Sequence, residues 1–295
     1  MSIGAVPVES TAALNSAQAE VRRREFLREL TRQKAFIAGA IIVGFWILAA
    51  IFGTLVVQDP LAQNLSAINQ APSGAHLFGT DQLGRDVLAR VIVGARPVLI
   101  VAPLATLIGT VFGTALGLVM GYYRGVVDDV VGRFVEAFLA LPLVVTGILG
   151  VVALGSSNAT LIIVIGIVFT PLIARTVRAA VLVERDLDYV AAARLRGESS
   201  LYIMFAEILP NILAPIMVEF TVRLGYAVFT IITLSFLGFG LQPPTPNWGS
   251  EIFTNISEVG AGYWWEVLFD AIAVASLVVG VNLIANSIET ALDAS

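Results

Sequence analysis

The 295 residues contain no cysteine, one histidine (His76) and one lysine (Lys34). Without cysteine there is no disulfide framework, no iron–sulfur ligation and no thiol nucleophile. A single histidine excludes HExxH zinc sites and bis-histidine haem ligation. Lys34 stands in Arg32-Gln33-Lys34-Ala35, with no glycines before it. A phosphate-cradling GxxxxGK[ST] loop is therefore missing, and the chain does not bind ATP in that way. Charge is scarce as well. Charged residues make up 13% of the chain, against about a quarter in an ordinary soluble domain. Hydrophobic residues make up 57%, and the mean hydropathy is +0.88. So little charge does not coat a soluble protein of this size, which makes the chain an integral membrane protein. A net charge of −5 argues against nucleic acid as a partner.

What the sequence does have is long apolar runs. A bilayer core of ~30 Å needs ~20 apolar residues of helix. Six runs meet that length: residues 36–57, 98–122, 134–154, 160–182, 212–239 and 267–288. Pro103, Pro142, Pro171 and Pro215 fall inside them and are read as tolerated, as membrane helices allow. The expected fold is all-α, with residues 1–35 a tail carrying a charged interfacial helix over Ala19–Lys34, and residues 36–295 the transmembrane domain. The apolar run from residue 36 is too long, and its basic residues too far upstream, for a secretory signal. Internal repeats of the kind that build secondary transporters are not evident.

Basic residues set the orientation. Arg22, Arg23, Arg24, Arg28, Arg32 and Lys34 precede the first run; Arg124 and Arg133 follow the second. Arg175, Arg178, Arg185, Arg194 and Arg196 lie around the connection after the fourth. With six spans all thirteen fall on one side, against Arg85, Arg90 and Arg96 on the other. Both termini are therefore expected in the cytoplasm.

Three polar segments carry further information. The extracytoplasmic segment 58–97 holds His76-Leu-Phe-Gly79-Thr80-Asp81-Gln-Leu-Gly84-Arg85-Asp86-Val-Leu-Ala-Arg90. Gly79, Asp81 and Gly84 favour a tight turn, and a helix can begin at Asp86; an interfacial connector is the plainer reading. In the cytoplasmic segment 184–211, Asp188 is expected to cap a short helix through Ala191, Ala192, Ala193 and Arg194. Gly197 stops it, and an amphipathic helix follows to Pro210. Alanines permit close backbone approach, so this short helix suits docking into a partner's groove, with an amphipathic loop as the alternative. The extracytoplasmic loop 241–266 carries Trp248, Trp264 and Trp265, read as an interfacial aromatic belt.

Ionisable groups inside spans are costly and few. Glu219 and Arg223 are four apart and share a helix face. They either line a polar pathway with Ser235 or form a structural pair. Asp270 and Glu136 lie near span ends, where they can reach the interface.

Taken together, the stretch from His76 to Arg90, Gly121-Tyr-Tyr-Arg-Gly125, the segment from Ala191 to Gly197 and on to Leu209-Pro210-Asn211, and Leu234-Ser235-Phe-Leu-Gly-Phe-Gly-Leu-Gln-Pro-Pro-Thr-Pro-Asn-Trp-Gly249 resemble the dipeptide/oligopeptide/nickel family of ABC-importer permeases. The likeness runs from about residue 25 to a C-terminal pattern Asn282-Leu…Ala291-Leu-Asp293. It implies a type I importer fold and a heterodimer with a paralogous permease. It also implies two cytoplasmic ATP-binding subunits, which hold the ATP and Mg, and an extracytoplasmic solute-binding protein. This chain itself would bind no cofactor or metal and have no catalytic residue. The Ala191–Gly197 segment corresponds to the family's ATPase-coupling helix. It departs from the pattern at Ala191, where glutamate is usual, and at Arg196. Peptides (dipeptide/oligopeptide) or a related polar solute are the implied cargo. A secondary transporter driven by ions through Glu219, Arg223 and Asp270 is the competing reading, and a membrane-embedded enzyme a remote third.

Overall fold

The computed structural model describes residue 26 and residues 28–293. The expected interfacial helix over Ala19–Lys34 lies largely outside these residues. Among the described residues the chain is helical, with one isolated bridge between Thr80 and Asp86 in place of any sheet. The helices long enough to cross a membrane are α1 (Lys34–Val56), α2 (Val87–Tyr123), α5 (Asn158–Glu184), α7 (Leu213–Phe236) and α9 (Trp265–Asp293). Between them lie α3 (Gly125–Leu139), α4 (Leu143–Leu154), the short α6 (Asp188–Leu195) and α8 (Trp248–Asn255).

Two expected spans differ from their sequence reading. The second begins at Val87, well before residue 98. Asp86 caps it by accepting a 2.8 Å hydrogen bond from the Ala89 amide, so the helix grows out of the polar motif itself. The third is broken. α3 and α4 meet at an angle of 89° across Ala140-Leu141-Pro142. Apolarity is continuous there, but a residue before proline is driven out of the α region, and proline has no N–H for the next turn. Here Pro142 ends one helix and starts another.

The centre of the bundle is the α2–α5 pair. Gly109, Gly113, Gly117 and Gly121 repeat every fourth residue of α2 and face Phe169, Ile173, Val177 and Val181 of α5. A Cβ built on Gly113 would stand 2.7 Å from the Ile173 Cβ, and one on Gly121 2.6 Å from the Val181 Cβ. All four α5 side chains are at most 1% exposed. In lipid, dispersion between closely approaching backbones takes over the role that water-driven burial has in soluble proteins. The glycine stripe is what brings these two helices that close. α1 and α9 pack together on one flank through Gly39 and Gly280, while α7 lies against α2, α5 and α9. Large apolar side chains such as Ile41, Leu55, Phe112 and Phe229 point outward, as a lipid-facing surface requires.

Candidate functional site

At one end of the bundle, α6 sits between α5 and the start of α7. Its N-cap is Leu187, and no side-chain cap is made; Asp188 is instead the first helical residue, where its charge favours the N-terminal dipole. Gly197 stops the helix as expected. It adopts φ +76°, and the amides of Gly197 and Glu198 return to the carbonyls of Arg194 and Ala193. Pro210 does not close an amphipathic α-helix. Residues 203–208 form a π-helical turn, and Pro210 lies in the helical turn Leu209–Asn211 that follows it.

The two faces of α6 differ sharply. Val190 and Ala193 are fully buried, in the same core cluster as Ile203, Met204 and Ile208. Asp188, Ala191, Ala192 and Arg194 are exposed, and Leu195 is 91% exposed. The open face thus consists of one protruding leucine beside two small alanines. Its rim is charged and tied down. Arg196 bonds Glu207 at 2.9 Å, and Arg194 lies 5.3 Å from the Tyr122 ring centre.

The base of α6 is anchored to both central helices. Arg185 donates to the carbonyls of Gly121 and Tyr122 at the end of α2. Arg124 binds Asp186 at 2.6 Å, which holds that carboxyl below the usual carboxylate range. Tyr189 donates to Glu184 at 3.1 Å, and burial pushes its hydroxyl up to about 12. Asn211 donates to the Tyr189 oxygen from the far side of the segment. These contacts tie the base of α6 to the ends of α2 and α5.

The opposite end carries the second cluster. Asp81 is 1% exposed. It accepts from the Leu83 and Arg85 amides at 2.9 Å and from the Arg85 guanidinium at 2.6 Å, closing the turn that Gly79 (φ +78°) and Gly84 (φ +68°) permit. Thr80 is fully buried between Ala67 and Gln70, and its carbonyl receives the Trp265 indole at 3.1 Å. Arg90 forms a buried ion pair with Glu251 of α8 and donates to the Pro60 carbonyl. Asp86 bonds His76 at 2.9 Å. The motif is thus a folded cap rather than a connector. Sequence reasoning missed Glu251, Asn247 and the role of Trp248 in it; the glycine period in α2 was visible but not used.

Two other expectations change here. Trp248 and Trp265 are not belt residues: they are 0% and 6% exposed, and they donate to the backbone carbonyls of Val91 in α2 and Thr80 in the cap. Only Trp264 of the three is open. Asp270 is near the start of α9 but faces inward, 2% exposed, with Glu266 beside it equally buried. Ser235 is 1% exposed and receives the Asn247 amide at 3.0 Å, so it braces the cap. Glu219 and Arg223 form a closed pair at 2.6 Å, and Arg223 also lies over the Tyr226 ring.

The geometry is that of a helical bundle with a short helix exposed on one face at one end and a hydrogen-bonded cap at the other. Residues 113–295 match the family model of binding-protein-dependent transport system inner membrane components. Residues 22–72 match that of the N-terminal transmembrane domain of oligopeptide transport permease C. The dipeptide transport system permease protein DppC of Escherichia coli (strain K12) is 39% identical over 277 residues, 92% of each chain. The protein of that name from Alkalihalophilus pseudofirmus is 38% identical over 271 residues, 92% of this chain and 89% of the relative. The di/tripeptide transport system permease protein DppC of Pseudomonas aeruginosa is 33% identical over 92% of this chain and 91% of its own. The chain therefore belongs to the family of inner membrane components of binding-protein-dependent transport systems.

Proposed function

We propose that the chain is one permease subunit of an ATP-driven importer of peptides, and forms half of the translocation pathway with a paralogous permease. Two cytoplasmic ATPase subunits hold the ATP and Mg, and one of them docks on α6; an extracytoplasmic binding protein delivers the solute to the capped end. Both termini are cytoplasmic, and the protein sits in the cell inner membrane. It performs no chemistry of its own. The peptide assignment is supported by the names of the relatives, and the orientation by the thirteen basic residues that the sequence assigns to one side.

The observation that carries this reading is the face of Asp188, Ala191, Ala192 and Leu195, open to solvent on a helix whose base is bolted to α2 and α5. A small-residue helix with one protruding leucine fits a shallow groove. Closure of a groove on that helix would move the α2–α5 pair as a unit. The ion-coupled alternative finds less support, because Glu219 already neutralises Arg223 and Asp270 lies at the opposite end of the bundle.

The test is co-expression with a companion permease and ATPases, followed by peptide uptake into vesicles. Uptake should require ATP and every subunit. Uptake by this chain alone, driven by a proton or sodium gradient, would establish the alternative instead.

A further inference from the structure

A groove runs along the outside of the central pair, between α3 on one wall and α2 with α5 on the other. It has two contiguous parts, and Val135 belongs to both. The part toward the middle of the bundle is an apolar slot of about 700 Å³, walled by Phe112, Val131, Phe138 and Ile163. Its one hydroxyl, on Thr170, is already spent on the Gly166 carbonyl. The part toward the α6 end is a cleft of about 420 Å³ lined by charges. Arg178 and Asp128 neutralise each other there through two 2.6 Å hydrogen bonds. Arg133, Arg175, Asp129 and Glu136 make no hydrogen bond or ion pair among the described residues, and all four are exposed.

On α5, Ile163 and Ile167 line the slot and Arg175 and Arg178 the cleft; on α3 the two sets alternate along the helix, Val131, Phe134 and Phe138 facing the slot and Asp129, Arg133 and Glu136 the cleft. From Ile163 to Arg175 is roughly 18 Å of helix at 1.5 Å per residue. The groove therefore offers one acyl chain's length of apolar wall. Beside it, toward the α6 end of α5, lie two cations without an ion pair and two anions, Asp129 and Glu136, that face the charge of Arg178 without bonding it.

We propose that this groove binds a phospholipid whose headgroup carries both a phosphate and a free amine, of the phosphatidylethanolamine type. Arg133 and Arg175 take the phosphate, as guanidinium forks do. Asp129 and Glu136 take the ammonium. An acyl chain fills the slot. Charge balance selects this headgroup: a purely anionic one would satisfy the arginines and face two carboxylates with nothing to offer them. A peptide in the slot would leave its backbone amides and carbonyls unpaired against apolar walls. Because α3 ends at the 89° break and is joined to α5 by Arg178–Asp128, the lipid would act as a wedge that fixes α3 on the central pair.

The test uses the full chain, stripped of lipid in detergent, reloaded with dioleoyl phosphatidylethanolamine or dioleoyl phosphatidylglycerol, and read by native mass spectrometry. One phosphatidylethanolamine per chain should be retained in preference to phosphatidylglycerol. The double substitution Arg133→Gln/Arg175→Gln should lower retention by about a hundredfold, the loss of two charge-assisted contacts at about tenfold each; Arg133→Lys/Arg175→Lys should keep most of it. Val131→Trp, which fills the slot and leaves every charge in place, should also release the lipid. Equal retention of the two lipids, or unchanged retention in either the glutamine or the tryptophan variant, would overturn the proposal. So would efficient cross-linking of Phe134→Cys to a companion permease in the assembled complex, because the groove would then be covered by protein. The chain's lack of cysteine makes that label unique.

Discussion

The indole of Trp248 donates a 2.8 Å hydrogen bond to the carbonyl of Val91, and it lies against α2 where residue 94 is a glycine. A Cβ on Gly94 would stand 2.8 Å from the indole Nε1. The same ring meets Trp46 edge-on at 4.9 Å, and Trp46 in turn donates to Ser276. One side chain of α8 thus ties the cap to α2, α1 and α9. Trp248→Phe keeps most of the ring and loses the bond, so it should cost about 1 kcal/mol. Gly94→Val forces the indole out and should cost about 3 kcal/mol, the upper end for overpacking a core. Thermal unfolding in detergent, followed by tryptophan fluorescence, distinguishes the two. Equal midpoints for both variants and the parent would show that the cap does not depend on this contact.

Arg90 and Glu251 are both buried; removing Arg90 leaves Glu251 without its ion-pair partner, whereas Arg90 also has Asp81 at 3.9 Å. Arg90→Met alone should destabilise the protein by about 3–5 kcal/mol, whereas Arg90→Met with Glu251→Leu should recover most of that loss. The measurement is a double-mutant cycle on unfolding midpoints. Strictly additive effects would show that the pair is not energetically coupled.

The glycine stripe makes a prediction for the membrane interior. Gly113→Leu places a branched side chain where Ile173 and the Thr170 carbonyl already stand within 2.9 Å of a new Cβ. Separation of α2 from α5 should follow, with loss of monodisperse protein on gel filtration. Gly44→Leu is the control. Nothing lies within 4 Å of a Cβ there, and the residue is on α1, so normal yield is expected.

How much of this was legible in the sequence depends on what each residue competes against. The spans followed from apolarity alone, because a bilayer requires each run to be long. Their ends did not: Asp86 moved the start of α2 upstream through a cap that hydropathy does not register, and Pro142 cut a run that is apolar on both sides. Gly197 was readable because positive φ at a helix end has a narrow residue preference. Asp188 was misread as the cap by one position, within the usual uncertainty of helix ends. The tryptophans were misassigned for a different reason. An aromatic in a proline-rich loop has the same composition whether it lies in a headgroup layer or in a core, and only the long-range carbonyls of Val91 and Thr80 decide it.

Tyr189 gives the α6 region a pH signature. Its hydroxyl ionises near 12 in the folded protein, because burial comes first and the Glu184 contact second in disfavouring the phenolate. An unfolded tyrosine ionises near 10. The folded pKa is the higher, so this stabilisation is fully present below pH ~10 and is lost as pH rises through ~12. Tyr189→Phe should remove that alkaline loss while lowering stability at neutral pH by about 1 kcal/mol through the missing hydrogen bonds. Tyrosinate absorbance recorded against pH, parent minus variant, should show one group titrating near 12. A difference curve centred near 10 would place Tyr189 in open solvent.

Leu195 and Gly197 separate docking from coupling. Leu195 is 91% exposed and makes little contribution to the fold, so Leu195→Asp should leave expression and unfolding unchanged. If the α6 face is the ATPase seat, that charge enters an apolar contact and copurification of the ATPase subunits should fall about tenfold or more. Gly197→Pro acts differently. Proline is confined near φ −65° and cannot take the +76° found here, nor can it donate to the Arg194 carbonyl. The docking face survives one turn away, but the chain leaves α6 in a new direction. ATPase subunits should still copurify and hydrolyse ATP, while peptide uptake in vesicles drops. Normal uptake in the Gly197→Pro variant would remove α6 from the coupling path, and unaltered copurification in Leu195→Asp would move the docking face elsewhere.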